Sequence, residues 1–485
     1  MNTICSYFQR LAVAAPLSVL AAAGFGGYAF AGSDIGTNAS PLSIPPALPA
    51  TPYPDSGVPE GYFFNLRPIG KPLGQYLADH GVYLTGRTLQ QAIGVTNGGL
   101  KTGTVYEGFN LFGVDLDMNK IAGIQGGSFH FLANELSGLP LQGFTGSFFA
   151  YNRAFALQAG VRLNEFSYEQ NFGGIVDVRV GRVPVGTEFD TERVYCEFLY
   201  GMCALPAGYV FSKGYPPYNA ASWAGIAQVK LPHHLYFHAG IFEDEPSLAT
   251  IGHWGWPGED WSPDKVRGAT IPVQFGYRTT FKDDPYPKSY AVGGYVDTGD
   301  YVDPIANAAG QNRLLAGGAP RLDHGKSGVW VQAEQAVWRP DMTTNRALTL
   351  FAGGNVQTSG EANIQNAYFA GLSFNGPFAG RPYDTFNVVG EAINSSSAYS
   401  SFIDTSLNLR HMPGISPHEA FIEVNYGIAL APGITLKPNF EYVWNPDLDT
   451  IPHPVSSDRH VVIMGVAFTA FLPETLGLPR LGGGG

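Results

Sequence analysis

From Val82 onward the chain repeats one pattern, and that pattern limits the fold more than any other feature. Apolar side chains alternate with polar ones or glycine, in segments of about ten residues separated by turns and loops. In "FNLFGVDLDMN", Phe112, Val114, Leu116 and Met118 fall on one face, with Gly113, Asp115 and Asp117 on the other. In "IPVQFGYRTT", Ile271, Val273, Phe275 and Tyr277 oppose Gln274, Gly276, Arg278 and Thr280. In "AFIEVNYGIAL", Ala420, Ile422, Val424, Tyr426 and Ile428 oppose Glu423, Asn425 and Gly427. Period two marks a strand, because successive side chains point to opposite faces of a sheet. The pattern predicts sixteen strands, over 82–94, 109–119, 127–137, 162–171, 174–182, 221–231, 234–243, 271–281, 289–298, 327–338, 346–357, 364–374, 385–394, 419–430, 433–444 and 460–471.

The connections separate two all-β architectures. One set is short: "KIAGIQG", "FG" near Phe172, "PHH" near Pro232, "KDDPYPK", "RPDMTTN", "NGPFAGRPYD" and "APG". The alternate set is long: 95–108, 138–161, 183–220, 244–270, 299–326, 395–418 and 445–459, with 358–363 as the short exception. An even strand count with short turns on one rim and long loops on the other is the pattern of an outer-membrane antiparallel β-barrel. A soluble sandwich or propeller has no reason to sort its loops by parity. The alternation itself does not say which face looks outward.

Composition agrees with a membrane wall. Only 14% of the chain is charged and 13% is aromatic, with 62 glycines, whereas soluble domains carry about 25% charge. No run after the N-terminus approaches the roughly 18 apolar residues that a spanning helix needs. Arg10, the apolar stretch Leu11 to Ala23 and Ala29-Phe30-Ala31 read as a cleaved export signal over 1–31, leaving Gly32 as the mature start. Loss of Arg10 takes the net charge from −12 to −13, which argues against nucleic acid as a partner. Cys196 and Cys203 remain; an oxidising compartment favours a disulfide between them, two free thiols being the alternative.

Residues 32–81 are expected to form a Pro-rich lead and a short periplasmic helix over Pro72 to His80 ending at Gly81. The barrel is expected over 82–471, followed by a flexible tail over 472–485.

Several stretches resemble the OprB-type carbohydrate-selective porins. They are "NEFSYEQNF" followed by "VDVRVGRVPVGTEFD", then "GVDLDMNKIAGIQGGSFHF", and "EVNYGIALAPGITLKPNFEYVWNPD" before the closing strand. Together they cover about residues 80 to 471. The closing strand "HVVIMGVAFTAF" ends on Phe471 and resembles the address read by the barrel assembly machinery, although a tail follows it. The resemblance implies a 16-stranded barrel in the bacterial outer membrane that passes glucose and similar sugars.

A sugar pore must replace water around hydroxyls without holding them too tightly. Arginine forks beside carboxylates supply paired hydrogen bonds, and aromatic faces stack on pyranose rings. In "IVDVRVGR", Val176, Val178 and Val180 take the lipid face, so Asp177 and Arg179 point inward, and Arg182 ends the strand. Arg179 and Arg182 are expected at the constriction, with a structural charge ladder on the wall as the alternative reading. The long loop 183–220, with Glu188, Asp190, Glu192, Arg193 and Glu197, is expected to fold into the lumen as in general porins, or else to remain an external loop stapled by its cysteines. Arg278, Glu334, Glu423 and Glu441 are further inward candidates by alternation. Trp254, Trp256 and Trp261 either greet sugars at the mouth or pack their loop against its neighbours. Trp338, Tyr442, Trp444 and Phe471 fit interfacial girdles. Asp297, Asp300 and Asp303 read as a solvated acidic loop rim, calcium binding being the alternative, for which the full ligand pattern is lacking.

Catalytic fingerprints such as a P-loop, HExxH or GxSxG do not occur, so no enzyme activity, cofactor or metal is expected. The expected partners are small neutral carbohydrates or polyols, outer-membrane lipid and lipopolysaccharide, and the barrel assembly machinery, with a homotrimer left open. The competing readings are a general diffusion porin and a secreted carbohydrate-active β-protein.

Overall fold

A computed structural model describes residues 61–64, 66, 68–147, 159–199, 221–249, 253–446 and 460–482. The leader, most of the Pro-rich lead and Cys203 lie outside these residues. Sixteen antiparallel strands run in sequence order around a closed barrel, and β1 pairs with β16. They are β1 (Val82–Gly98), β2 (Gly103–Asp117), β3 (Gly127–Gly138), β4 (Gly160–Phe172), β5 (Val176–Val183), β6 (Ser222–Lys230), β7 (Leu235–Asp244), β8 (Gly268–Arg278), β9 (Lys288–Asn307), β10 (Pro320–Trp338), β11 (Ala347–Ser359), β12 (Ile364–Asn375), β13 (Thr385–Ser395), β14 (His418–Ala431), β15 (Ile434–Trp444) and β16 (His460–Phe471). Closure removes the two edge strands that an open sheet would expose.

The register settles the question the alternation left open. Arg179 pairs with Glu169 and Ile226, and these residues are buried inside the barrel. Val180, one residue on, is 50% exposed on the outside, and Val292, Val296, Val331 and Met464 form part of the same apolar belt. A cation on that belt would cost about 2–4 kcal/mol at the bilayer midplane, which explains the valines there. Trp338 ends β10 at the short-turn rim and Trp444 ends β15 at the loop-bearing rim; both are exposed, as interfacial anchors are. At the β14–β15 turn, Pro432-Gly433 joins Ala431 to its partner Ile434. Gly433 has φ +74° and lies against Glu474, so a side chain there would meet both backbone strain and a close neighbour.

Three expectations change. The link expected at 95–108 shrinks because β1 runs to Gly98 and β2 begins at Gly103. The long loop 299–326 contracts as well, since β9 and β10 continue outward as a hairpin beyond the apolar belt. Asp297, Asp300 and Asp303 are therefore strand residues rather than a loop rim. Asp297 accepts from Thr270 Oγ1 at 2.8 Å, Asp300 meets His324 Nδ1 at 2.9 Å, and Asp303 binds Arg321 Nη2 at 2.5 Å. Hydrophobic alternation misses such a ribbon because both of its faces carry polar groups. The tail is also folded. A short helix over Leu472–Leu476 carries Pro473 in its first turn, buries Leu472, and brings Leu478 against Gly70 and Gly74 of the N-terminal segment. The periplasmic helix spans Lys71–Asp79, one residue from its expected span, and Lys120 Nζ donates to the Ala78 carbonyl at 2.6 Å.

The barrel interior is not uniformly polar. Leu89, Phe109, Leu111, Leu132 and Leu136 form one apolar patch, and Phe351, Phe369, Val389, Ile393 and Phe421 belong to a second. A helix over Ser397–Asn408, capped by the Ser396 hydroxyl on the Tyr399 N–H at 3.1 Å, inserts Tyr399, Phe402, Ile403 and Leu407 into the second patch from the loop-bearing end.

Candidate pore constriction

The two inner patches seat a single loop. Leaving β5 at Pro184, the chain turns into the barrel and crosses it. Val185 and Phe189 pack on the first patch, while Val194, Tyr195 and Phe198 pack on the second. Burying each of these side chains contributes roughly 1.5–3 kcal/mol, which outweighs leaving the loop in water. The lumen loop expected from 183–220 is thus present over its described part, 184–199.

Three acidic residues of the loop, at intervals of four and five, meet three bases of the wall. Glu188 meets Arg179 of β5 at 3.0 Å, Glu192 meets Arg278 of β8 at 3.1 Å, and Glu197 meets Lys437 of β15 at 3.2 Å. Arg179 also donates to Glu169 at 2.8 and 3.1 Å and reaches Glu165 at 3.5 Å. One guanidinium is therefore held by three carboxylates. Beside it, Phe189 stacks on His238 with centroids 4.2 Å apart, and His130 bridges Asp115 at 2.8 Å and Glu169 at 3.8 Å. Glu192 accepts in addition from Ser289 Oγ and from Gln332 Nε2, both at 2.8 Å. Asp190 takes Asn355 Nδ2 at 3.1 Å, and Glu423 takes the Leu199 N–H at 3.0 Å. Burying this many charges is tolerable only because they are paired and hydrogen-bonded.

Other expected site residues take different places. Asp177 is inward but accepts from Asn171 Nδ2 at 2.6 Å near the short-turn end. Glu334 alternates with Trp330 and Gln332 on the inner face of β10. Glu441 stands directly opposite Glu423 and accepts from Asn439 at 2.8 Å. Cys196 is disulfide-bonded; Cys203, its expected partner, lies outside the described residues.

Arg182 requires a correction. It pairs with Trp223, one step beyond Val180 and Gly225 in the outward parity, so it belongs to the outer face. Its guanidinium is fully buried, donating to the Ala221 and Asp260 carbonyls at 2.7 and 3.0 Å, meeting Glu243 at 3.3 Å, and lying over the Trp223 and Trp261 rings. It ties the loop 245–267 to the wall and does not reach the lumen constriction. The tryptophans of that loop pack against its neighbours, one of the two placements the sequence left open. Pairing of β4 with β5 covers only Phe166 to Phe172, leaving the upper edge of β4 open. The loop closes this seam: the Trp254 carbonyl accepts from Leu163 N–H at 2.9 Å, and Trp256 Nε1 donates to Val161 O at 3.0 Å. Trp261 packs edge-on against Trp223 at 5.1 Å. Asp260 organises the loop by accepting from His253 and from the amides of Trp254 and Gly255. Burial pushes the Asp260 carboxyl up, but those hydrogen bonds outweigh it and hold the group below the usual carboxylate range.

Glu165 and Glu169 were not singled out from the sequence, although they alternate with Phe166 and Tyr168. The period-two rule applied to β4 finds them. Among the described residues, no group of three His, Cys, Asp or Glu is arranged to hold a metal.

Comparison with known proteins agrees with this geometry. Residues 101–469 match the family model described as carbohydrate-selective porin, OprB family. The chain is 25% identical over 363 residues to Porin B of Pseudomonas aeruginosa, covering 71% of this chain and 78% of that protein. It is 21% identical over 402 residues to the putative porin QuiX of Acinetobacter baylyi, covering 77% and 86% respectively. The high-pH structure of Pseudomonas putida OprB superposes with a TM-score of 0.75 at 21% identity, covering 86% of this chain and all of that one.

Proposed function

Because the chain belongs to the OprB family of carbohydrate-selective porins, and so is an outer-membrane β-barrel channel rather than an enzyme, we propose that it passes small neutral sugars or polyols into the periplasm by passive diffusion past the loop 184–199. The observation that carries this reading is the three-point seating of that loop, which narrows the lumen with alternating donors and acceptors. A sugar entering a narrow bore gives up hydration, and guanidinium and carboxylate groups replace those hydrogen bonds.

Accessibility assigns different parts to the bases. The Arg278 side chain keeps 19% of its surface open, against 5% for Arg179. Arg278, with Lys437 and Glu197, is the solute-facing group, while Arg179 holds Glu188 and hence the loop. Asp177, Glu334 and Glu441 belong to the wall behind them. The cluster around Arg179 sets three carboxylates against one cation, so an anion meets a net negative field. That favours neutral hydroxylated solutes over sugar acids. Export by the leader, folding by the barrel assembly machinery, and contacts with lipopolysaccharide or with further copies in a trimer complete the proposed setting.

The full chain reconstituted in liposomes tests this. Swelling in glucose should be several-fold faster than in gluconate, and should fall sharply for a tetrasaccharide. Equal rates for glucose and gluconate would favour a general diffusion porin instead.

A further inference from the structure

The outer wall carries a depression that sugar passage does not use. Five consecutive strands contribute one cross-strand row: Phe129, Tyr168, Val180, Gly225 and Ile241, paired in turn. The row shares the outward parity of Val180, 50% exposed, and Ile241, 52% exposed. At its fourth position Gly225 has no side chain, so the wall is hollow between Val180 and Ile241. The resulting groove has a volume of about 590 Å³ and is lined mainly by apolar atoms. Four inter-strand spacings of roughly 4.8 Å make the row about 19 Å long, and strand tilt turns it diagonal to the membrane. That shape suits an extended hydrocarbon chain better than a single protruding side chain.

The upper end of the groove lies at the loop-bearing rim, between Trp223, Glu243 and the start of β8 at Gly268. Glu243 is already engaged by Arg182 and by the Trp223 N–H at 2.8 Å. Arg267, the residue before Gly268, is exposed, and its backbone N–H is fixed to the Asp244 carbonyl at 2.8 Å. A cationic residue, in the outward parity of Ile271 and Val273, therefore borders the upper end of an apolar trough that is continuous with the membrane-facing belt, on the rim that faces outward by loop length.

From this juxtaposition we infer that the groove across β3–β7 is a binding site for one phosphorylated, acylated lipid of the outer leaflet. An acyl chain lies along the Gly225 hollow and Arg267 meets the phosphate. The charge-assisted contact and the buried chain act together, since either alone gives only weak, unselective lipid contact. The inference does not depend on which solute crosses the pore.

The full-length barrel purified in mild detergent is mixed with lipid A, dephosphorylated lipid A or phosphatidylethanolamine, and retained lipid is counted by native mass spectrometry. One lipid A per barrel is expected, at least threefold more than either control. The Gly225→Leu variant fills the hollow from within; a Cβ there meets only Ile241 Cγ2, at an ordinary 3.7 Å. It should lose retention, and Arg267→Ala should reduce it at least threefold, while glucose swelling stays unchanged in both. Ile241→Phe fills the groove from the side and serves if Gly225→Leu does not fold, as judged by heat-modifiable migration. Equal retention by Gly225→Leu or Ile241→Phe overturns the site, equal retention of dephosphorylated lipid A overturns the phosphate contact, and equal retention of phosphatidylethanolamine overturns the assignment to an outer-leaflet lipid. A change in copy number with retained lipid unaltered assigns the groove to a second barrel and also overturns the inference.

Discussion

Replacing Glu192 by alanine isolates how the constriction loop is positioned. Glu192 is 2% exposed and receives Ser289 and Gln332 at 2.8 Å each, with Arg278 at 3.1 and 3.3 Å. The substitution removes hydrogen bonds to a charged group worth about 1.5–3 kcal/mol each and leaves a half-buried guanidinium short of its carboxylate. Breaking such a pair costs about 3–5 kcal/mol. Arg278 retains some lumen water, Ser289 and the Tyr236 ring at 5.3 Å, which points to the lower bound. About 3 kcal/mol raises the undocked-to-docked ratio of the 190–193 bend roughly a hundredfold. The flanking anchors at Glu188 and Glu197 remain, so the loop loosens at its middle without leaving the lumen. In planar bilayers the variant should show larger and noisier single-channel conductance, and in liposomes a higher size cut-off. Glu192→Gln, which still accepts from Ser289 and Gln332, should fall between. A folded Glu192→Ala barrel with parental conductance and cut-off would refute the assignment of this residue.

Further outcomes follow from the same contacts. Arg179→Ala leaves Glu165, Glu169 and Glu188 uncompensated and should destabilise the barrel by about 3–5 kcal/mol, read as a lower urea midpoint in refolding assays, whereas Arg179→Lys should recover part of the loss. Arg182→Ala should leave glucose swelling unchanged but expose loop 245–267 to limited proteolysis; an altered sugar rate would contradict its outward placement. The Asp260 carboxyl lies below its ordinary value, so the stability it contributes is complete above pH about 4 and is lost as pH falls through the lower native value. Tryptophan fluorescence of the 245–267 loop should therefore hold from neutral pH to about 4 and change below it. Asp260→Asn should abolish that acid transition.

How far local pattern reaches is visible in individual residues. Arg179 and Asp177 were legible as inward because two-residue alternation with Val176, Val178 and Val180 needs no knowledge of partners. The same parity places Arg182 outward, and only the expectation that arginines belong at a sugar constriction drew it inside. Glu165 and Glu169 obey the rule too, but a register shift at Leu132/Ala133 breaks the run just above them. The pairs that seat the loop are another matter. Glu192 and Arg278 are 86 residues apart, and Glu197 and Lys437 are 240 apart. No local periodicity encodes which base will receive which acid.

The strand number, the closed antiparallel wall, the rim that bears long loops, and the two alternating faces of each strand were legible in the chain order alone. These follow from side-chain alternation and turn spacing, which are short-range properties of the chain. Tertiary structure settled which face looks inward, where the loop after β5 lands, that the tryptophan loop seals the β4 edge, and that the acidic stretch 297–303 pairs as a ribbon. It also decided that the wall is hollow at Gly225. Each of these depends on which distant surfaces meet once the barrel closes, and closure brings together residues that the linear order keeps apart.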